Sequence, residues 1–159
     1  MTDRPSSDVL ADLKDFQQWS RAGKGLSLFD YATHHLTVDL AIATTQLLFP
    51  EFREVDGYVT IATSESERSI RQTIAGWKRR FGSDRIAIEK LINHLHLCDV
   101  LPCLHDASRE TLVYFGAFLL RCWKHELLQR FPERKIETQG EWSEEDCDFF
   151  FTFFQDRVG

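Results

Sequence analysis

The stretch Asp106–Phe131, DASRETLVYFGAFLLRCWKHELLQRF, decides the fold. Leu112, Phe115, Phe118, Leu119, Cys122, Trp123, Leu127 and Phe131 recur at three- and four-residue steps, the period of one helix face. Asp106 or Ser108 can cap its start, since a short side-chain oxygen satisfies an orphan amide there. Pro132 stops it, having no N–H and a fixed φ. A helix of this length and apolarity needs cover on most sides, so other elements must pack around it.

Working towards the N-terminus, the spacing predicts a first helix over 8–21, with Val9, Leu10, Leu13, Phe16 and Trp19 inward, Ser7 as cap and Gly23 beyond its end. Residues 1–6 are polar, contain Pro5 and read as loose, and Lys24-Gly25 reads as a turn. Leu28–Ala32 suggests a short helical turn. Thr37 is the expected cap of a helix to about Leu48, ended by Pro50. Its buried side is expected to be Val38, Ala41, Ile42, Thr45, Leu48 and Phe49, and its small residues Ala41 and Ala43 let another helix come close. Phe52–Val55 and Tyr58–Ala62 flank Asp56-Gly57, a strong hairpin signal. Ile70, Ile74, Trp77 and Phe81 then mark a helix closed by Gly82, and Ile88, Leu91, Ile92 and Leu95 mark another running to about Leu97. Pro102 and His105 belong to the connection into the long helix.

Beyond Pro132 the pattern is extended. A strand is expected over 134–138, an acidic loop over 139–147, and a second strand over 148–155, DFFFTFFQ. Phe149, Phe151 and Phe153 share one face of that strand and Phe150 and Phe154 the other, so both faces need cover. The expectation is that 148–155 pairs with 134–138 on one side and with 58–62 on the other. The chain therefore reads as one α+β domain over 1–159: about five helices around the long helix 106–131, with a small, mainly antiparallel sheet from 52–62, 134–138 and 148–155.

Composition narrows the function. The chain has 159 residues, 43% of them hydrophobic, and a net charge of −6, which argues against nucleic acid as a partner because phosphate binding needs a basic surface. The four cysteines form no CxxC pair, no segment has a signal-peptide core, and no run approaches a membrane span. These features suggest a cytoplasmic protein with reduced thiols.

Five groups of residues bear on chemistry. His94, His96 and Cys98, followed by Cys103 and His105, put five soft or borderline ligands in twelve residues, enough in kind for zinc. In a helix, however, residues two apart point about 200° apart and cannot share an ion. His34-His35 lies near Asp30 and Tyr31, but adjacent side chains diverge, so at most one joins a site. No cysteine or serine carries a nucleophile-elbow pattern, and no glycine-rich phosphate loop is present. Trp77-Lys78-Arg79-Arg80 suits the solvated C-terminal end of a helix. Glu51, Glu54 and Asp56, together with Glu141, Glu144, Glu145 and Asp146, would converge if the sheet formed as expected, and would steer a basic partner. No catalytic, cofactor or metal residue is assigned by these patterns.

Leu48-Phe49-Pro50, Glu54-Val55-Asp56-Gly57, the stretch Asn93-His94 to Asp99, and Phe131-Pro132-Glu133-Arg134 with the aromatic terminal strand resemble a group of small, uncharacterised bacterial proteins. In general character, small, acidic and without catalytic machinery, the chain is similar to antitoxin-type immunity proteins. The expected function is thus a non-enzymatic binding module, of the kind that masks a basic toxin surface. One alternative is a metal-dependent or small-molecule enzyme using His94, His96 and His105. Another is a homodimeric structural protein.

Overall fold

The computed structural model describes residues 4–23, 25–101 and 106–156. It has α+β architecture, with eight helices and five strands among the described residues. The central helix forms as expected: α8 (Arg109–Arg130) is capped by the Ser108 hydroxyl, which accepts from Thr111 N, and it buries Leu112, Gly116, Leu119, Trp123 and Leu127.

Two strands lie against α8. β4 (Ile136–Ser143) and β5 (Asp148–Gln155) form an eight-pair antiparallel hairpin. β4 is longer than expected, and the acidic loop shrinks to a four-residue turn. Phe149, Phe151 and Phe153 face α8. On the opposite face the Thr152 hydroxyl donates to Lys90 O at 2.9 Å, and the Lys90 ammonium lies 4.3 Å from the centre of the Phe154 ring. Those contacts come from α6 (Arg85–Ile92), so β5 is covered on both faces. Two glycines set how closely α8 approaches. A Cβ on Gly116 would come within 2.3 Å of the Phe149 ring, and one on Gly140 within 2.9 Å of it. The ring fills the space that both lack.

The second neighbour of β5 differs from the expectation. β3 is the pair Leu95–His96, matched to Phe151 and Phe150, and the sheet order is β3-β5-β4. The hairpin β1 (Phe52–Val55) and β2 (Tyr58–Ile61) forms a separate two-stranded sheet. Its turn is as expected, with Asp56 at φ 52° and Gly57 at φ 82°, both left-handed. β2 does not join β5 because two buried side chains stand between them. Glu89 accepts from Val59 N and from Gln155 N, while the Asn93 amide donates to Val59 O and to Phe153 O. The side chains from α6 and its cap thus do what a backbone ladder would otherwise do.

The hairpin joins two apolar clusters. Phe52 packs its ring edge-on to Trp123 and Phe153, in the main core. Val55 and Tyr58 pack with Ile70, Ile74 and Ile88 of α5 (Glu67–Phe81) and α6. α6 ends at Ile92, short of the expected Leu97, because Asn93 turns out to bridge the strands. α7 (Leu97–Val100) follows β3.

The N-terminal helix is broken. α1 (Ser7–Asp12), capped by Ser6, and α2 (Lys14–Ser20) meet at Leu13, whose ψ of 81° interrupts the helix. Residues 1–3, Lys24 and the 102–105 connection with His105 lie outside the described residues. α3 (Leu28–His35) is longer than the expected turn, and its Ser27–Asp30 capping box explains why. α4 (Val38–Leu48) has the expected bounds and the expected Thr37 cap, but it buries none of its residues. Only Leu47 and Leu48 reach the core, and Trp123 Nε1 donates to Leu47 O at 2.9 Å. The helix is held at its C-terminal end and projects from there.

Candidate functional site

Of the residues expected on the buried side of α4, Leu48 reaches the core and Ala41 is half-buried, but the other four lie outside. Val38 is 74% exposed, Ile42 59% and Phe49 45%, and Thr45 between them is exposed as well. These four residues follow steps of four, three and four, which is one continuous helix face. Phe29, Leu36 and Leu40 are also large, apolar and exposed, Leu40 on the opposite side of α4 from this stripe. Leu47 and Leu48, on the other side of the helix, hold it to α8. Sequence periodicity could identify the apolar stripe but not which side the core would cover. A second signal was present in the sequence: from Tyr31 to Pro50, Asp39 is the only Asp, Glu, Lys or Arg. A helix that meets only water on one side ordinarily carries charge there.

Aromatic contacts with α2 hold α3, the helix before α4. Tyr31 packs edge-on to Phe16 at 5.8 Å and to Trp19 at 5.5 Å. His34 and His35 both lie against Trp19, and His35 Nδ1 is 2.9 Å from Tyr31 O. Asp30 is occupied by the cap of α3. Hydrogen bonds from the Ser27 hydroxyl and amide hold its pKa below the usual carboxylate value, so it is not poised as a base. This His pair is therefore part of the packing between α2 and α3.

His94 and His96 do meet, because the segment is extended rather than helical. Their Nε2 atoms are 3.3 Å apart, both rings lie against Phe150, and His96 Nδ1 is 3.3 Å from Asp148 Oδ2. Asp148 is buried, which raises its pKa. Hydrogen bonds from the Cys98 thiol and amide and from Phe149 N, with the nearby His96 charge, outweigh that and leave it lowered. The same carboxylate pushes the Cys98 thiol up to about 11, with burial adding to the effect, so this cysteine is a poor nucleophile. Among the described residues no three His, Cys, Asp or Glu side chains come together to hold a metal. The described part of the cluster is an oriented imidazole beside a muted thiol.

The acidic residues do not converge. Gln155 Nε2 donates to Gly57 O, so the β1–β2 turn sits at the end of β5, while Glu144–Asp146 adjoin its start at Asp148. Eight strand residues, roughly 23 Å, separate them. Most of these carboxylates have a close partner. Glu51 faces Arg130 at 3.1 Å, Glu54 pairs with Arg134, Asp56 faces Arg71 at 3.2 Å and Glu144 faces Arg109 at 2.5 Å. Asp146 accepts from Ser143, and Glu141 and Glu145 are exposed. The basic run of α5 is partly engaged too, with Lys78 against the Tyr58 ring and Arg80 against Trp77 and Phe81.

No family model, curated protein or solved structure matches the chain. No helix among the described residues is long and apolar enough to cross a membrane.

Proposed function

We propose that this protein is a non-enzymatic interaction module whose contact surface is the apolar face of α3 and α4. The observation that carries this reading is the outward stripe Val38–Ile42–Thr45–Phe49 on a helix with no buried residue. Covering one large apolar side chain stabilises a contact by about 1.5–3 kcal/mol if the burial is complete. Exposed apolar patches on a folded protein commonly mark where another surface binds. The acidic loops fit a partner less well, because four of their carboxylates already face arginines and the two clusters sit at opposite ends of β5.

A fluorescent apolar dye such as ANS tests this directly. The folded parent chain is expected to bind it, with affinity undiminished between roughly 50 and 500 mM salt, since apolar contacts are not screened. Val38→Asp with Ile42→Asp should abolish that binding, whereas Glu141→Lys with Glu145→Lys should leave it unchanged. Dye binding that survives the α4 substitutions would place the apolar surface elsewhere and overturn the reading.

A further inference from the structure

We infer that the partner covering this face is a second copy of the same chain, with the two α4 helices antiparallel across a two-fold axis. The inference rests on the reading of α3–α4 as the contact surface.

The stripe itself argues for self-pairing. Its spacing of four, three and four is the same read in either direction. An axis between Ile42 and Thr45 therefore sets Val38 against Phe49 of the second copy, and Ile42 against its Thr45. Each pair matches a larger side chain with a smaller one. Ala41 flanks the stripe and lets the helices approach to the 8–10 Å of ordinary helix packing. Thr45 turns its hydroxyl inward to Ile42 O at 2.7 Å, so it presents mainly its methyl group.

Charge points the same way. The whole chain carries −6, so two copies repel over most of their surfaces. The stretch from Tyr31 to Pro50 is the exception, with Asp39 its only Asp, Glu, Lys or Arg. A parallel arrangement would bring Asp39 against Asp39 and add the helix dipoles. The antiparallel one separates the two Asp39 side chains along the pair and opposes the dipoles.

The area suits a weak, reversible contact. Val38, Ile42 and Phe49 on the stripe are exposed by 74%, 59% and 45%. At roughly 180 Å² for a wholly exposed large apolar side chain, they offer about 320 Å² on each copy. The Thr, Gln and Ala residues beside them form a polar rim, and transient interfaces bury less than about 600 Å² on each partner.

Sedimentation of the full chain over a dilution series, with cross-linking, tests the inference. Expected is a species of twice the 18.6 kDa chain mass at roughly 100 µM that dissociates on dilution and is absent in Ile42→Asp. Mixing Val38→Cys with Phe49→Cys chains and adding a short thiol cross-linker should join position 38 to position 49, identified by peptide mass spectrometry. A chain monomeric at every concentration overturns the second-copy inference, while dye binding by that monomer leaves the contact surface standing. Loss of dye binding as well would remove both. A dimer that persists in Ile42→Asp, or one that cross-links position 38 to itself, overturns the antiparallel α4 arrangement.

Discussion

Glu89 and Gln155 are joined twice. The fully buried carboxylate accepts the Gln155 backbone N–H at 2.6 Å and the Gln155 side-chain amide as well, while also taking Val59 N. One side chain thus ties the last strand of the sheet to the separate hairpin. Glu89→Ala leaves these buried donors without an acceptor, each costing about 1–3 kcal/mol. The expected outcome is a loss of about 3 kcal/mol or more, a fall of roughly 6–12 °C in melting temperature for a chain of this size. Amide exchange at Val59 and Gln155 should accelerate together. Thermal denaturation and residue-resolved hydrogen exchange check both.

Gly116 is a helix-interior glycine, where alanine would ordinarily add up to about 1 kcal/mol. Here the added Cβ meets the buried Phe149 ring at 2.3 Å, and the same ring lies close against Gly140 as well. Overpacking of this kind costs about 1–3 kcal/mol. Gly116→Ala should therefore destabilise the protein in urea titration, and pairing it with Phe149→Leu should restore part of the loss.

Asp148 has a folded-state pKa below its usual value of 3.8. A depressed carboxylate contributes stability that is present above the unfolded pKa and is lost as pH falls through the folded one. The stability difference between the parent and Asp148→Asn should be full at pH 7 and shrink below about pH 4, towards zero. A difference that stays constant down to pH 2.5 would contradict the hydrogen-bonding role assigned to this carboxylate.

Cys98 and Cys147 are both exposed. The Asp148 carboxylate lifts the Cys98 thiol to about 11, and the smaller thiolate fraction is only partly offset by higher intrinsic nucleophilicity. Iodoacetamide at pH 8 should therefore modify Cys98 about tenfold more slowly than Cys147. In Asp148→Asn the gap should narrow. Peptide mapping over a time course reads both rates.

Local order was legible in the sequence wherever one residue type dictates it. Ser108, Thr37 and Pro132 bound their helices as their chemistry requires, Asp56-Gly57 makes its turn, and the aromatic alternation of 148–155 makes a strand covered on both faces. What pairs with what was less legible. A hairpin placed beside β5 by apolar pattern alone is held off it by Glu89 and Asn93, which read in sequence as ordinary helix residues. The stretch 94–97 carries the tail of a helical period, yet Asn93 ends α6, and the resulting extended turn lets His94 and His96 meet. The exposed side of α4 is not legible from its period, for a physical reason. A stripe that buries itself in its own core and one that waits for another surface have the same period, and only the scarcity of charge around it distinguishes them.

The contrast between Ile42 and Ile74 tests the central claim most directly. Both are isoleucines on the apolar stripe of a helix, but Ile42 is 59% exposed and Ile74 1%. Each is replaced by Asp and the melting temperature measured at high dilution, where any association is absent. Ile42→Asp is expected to melt within about 2 °C of the parent, as exposed substitutions do, whereas Ile74→Asp should lose most of its folded state. If Ile42→Asp is as damaging as Ile74→Asp, α4 packs into its own chain, and the apolar contact face does not exist.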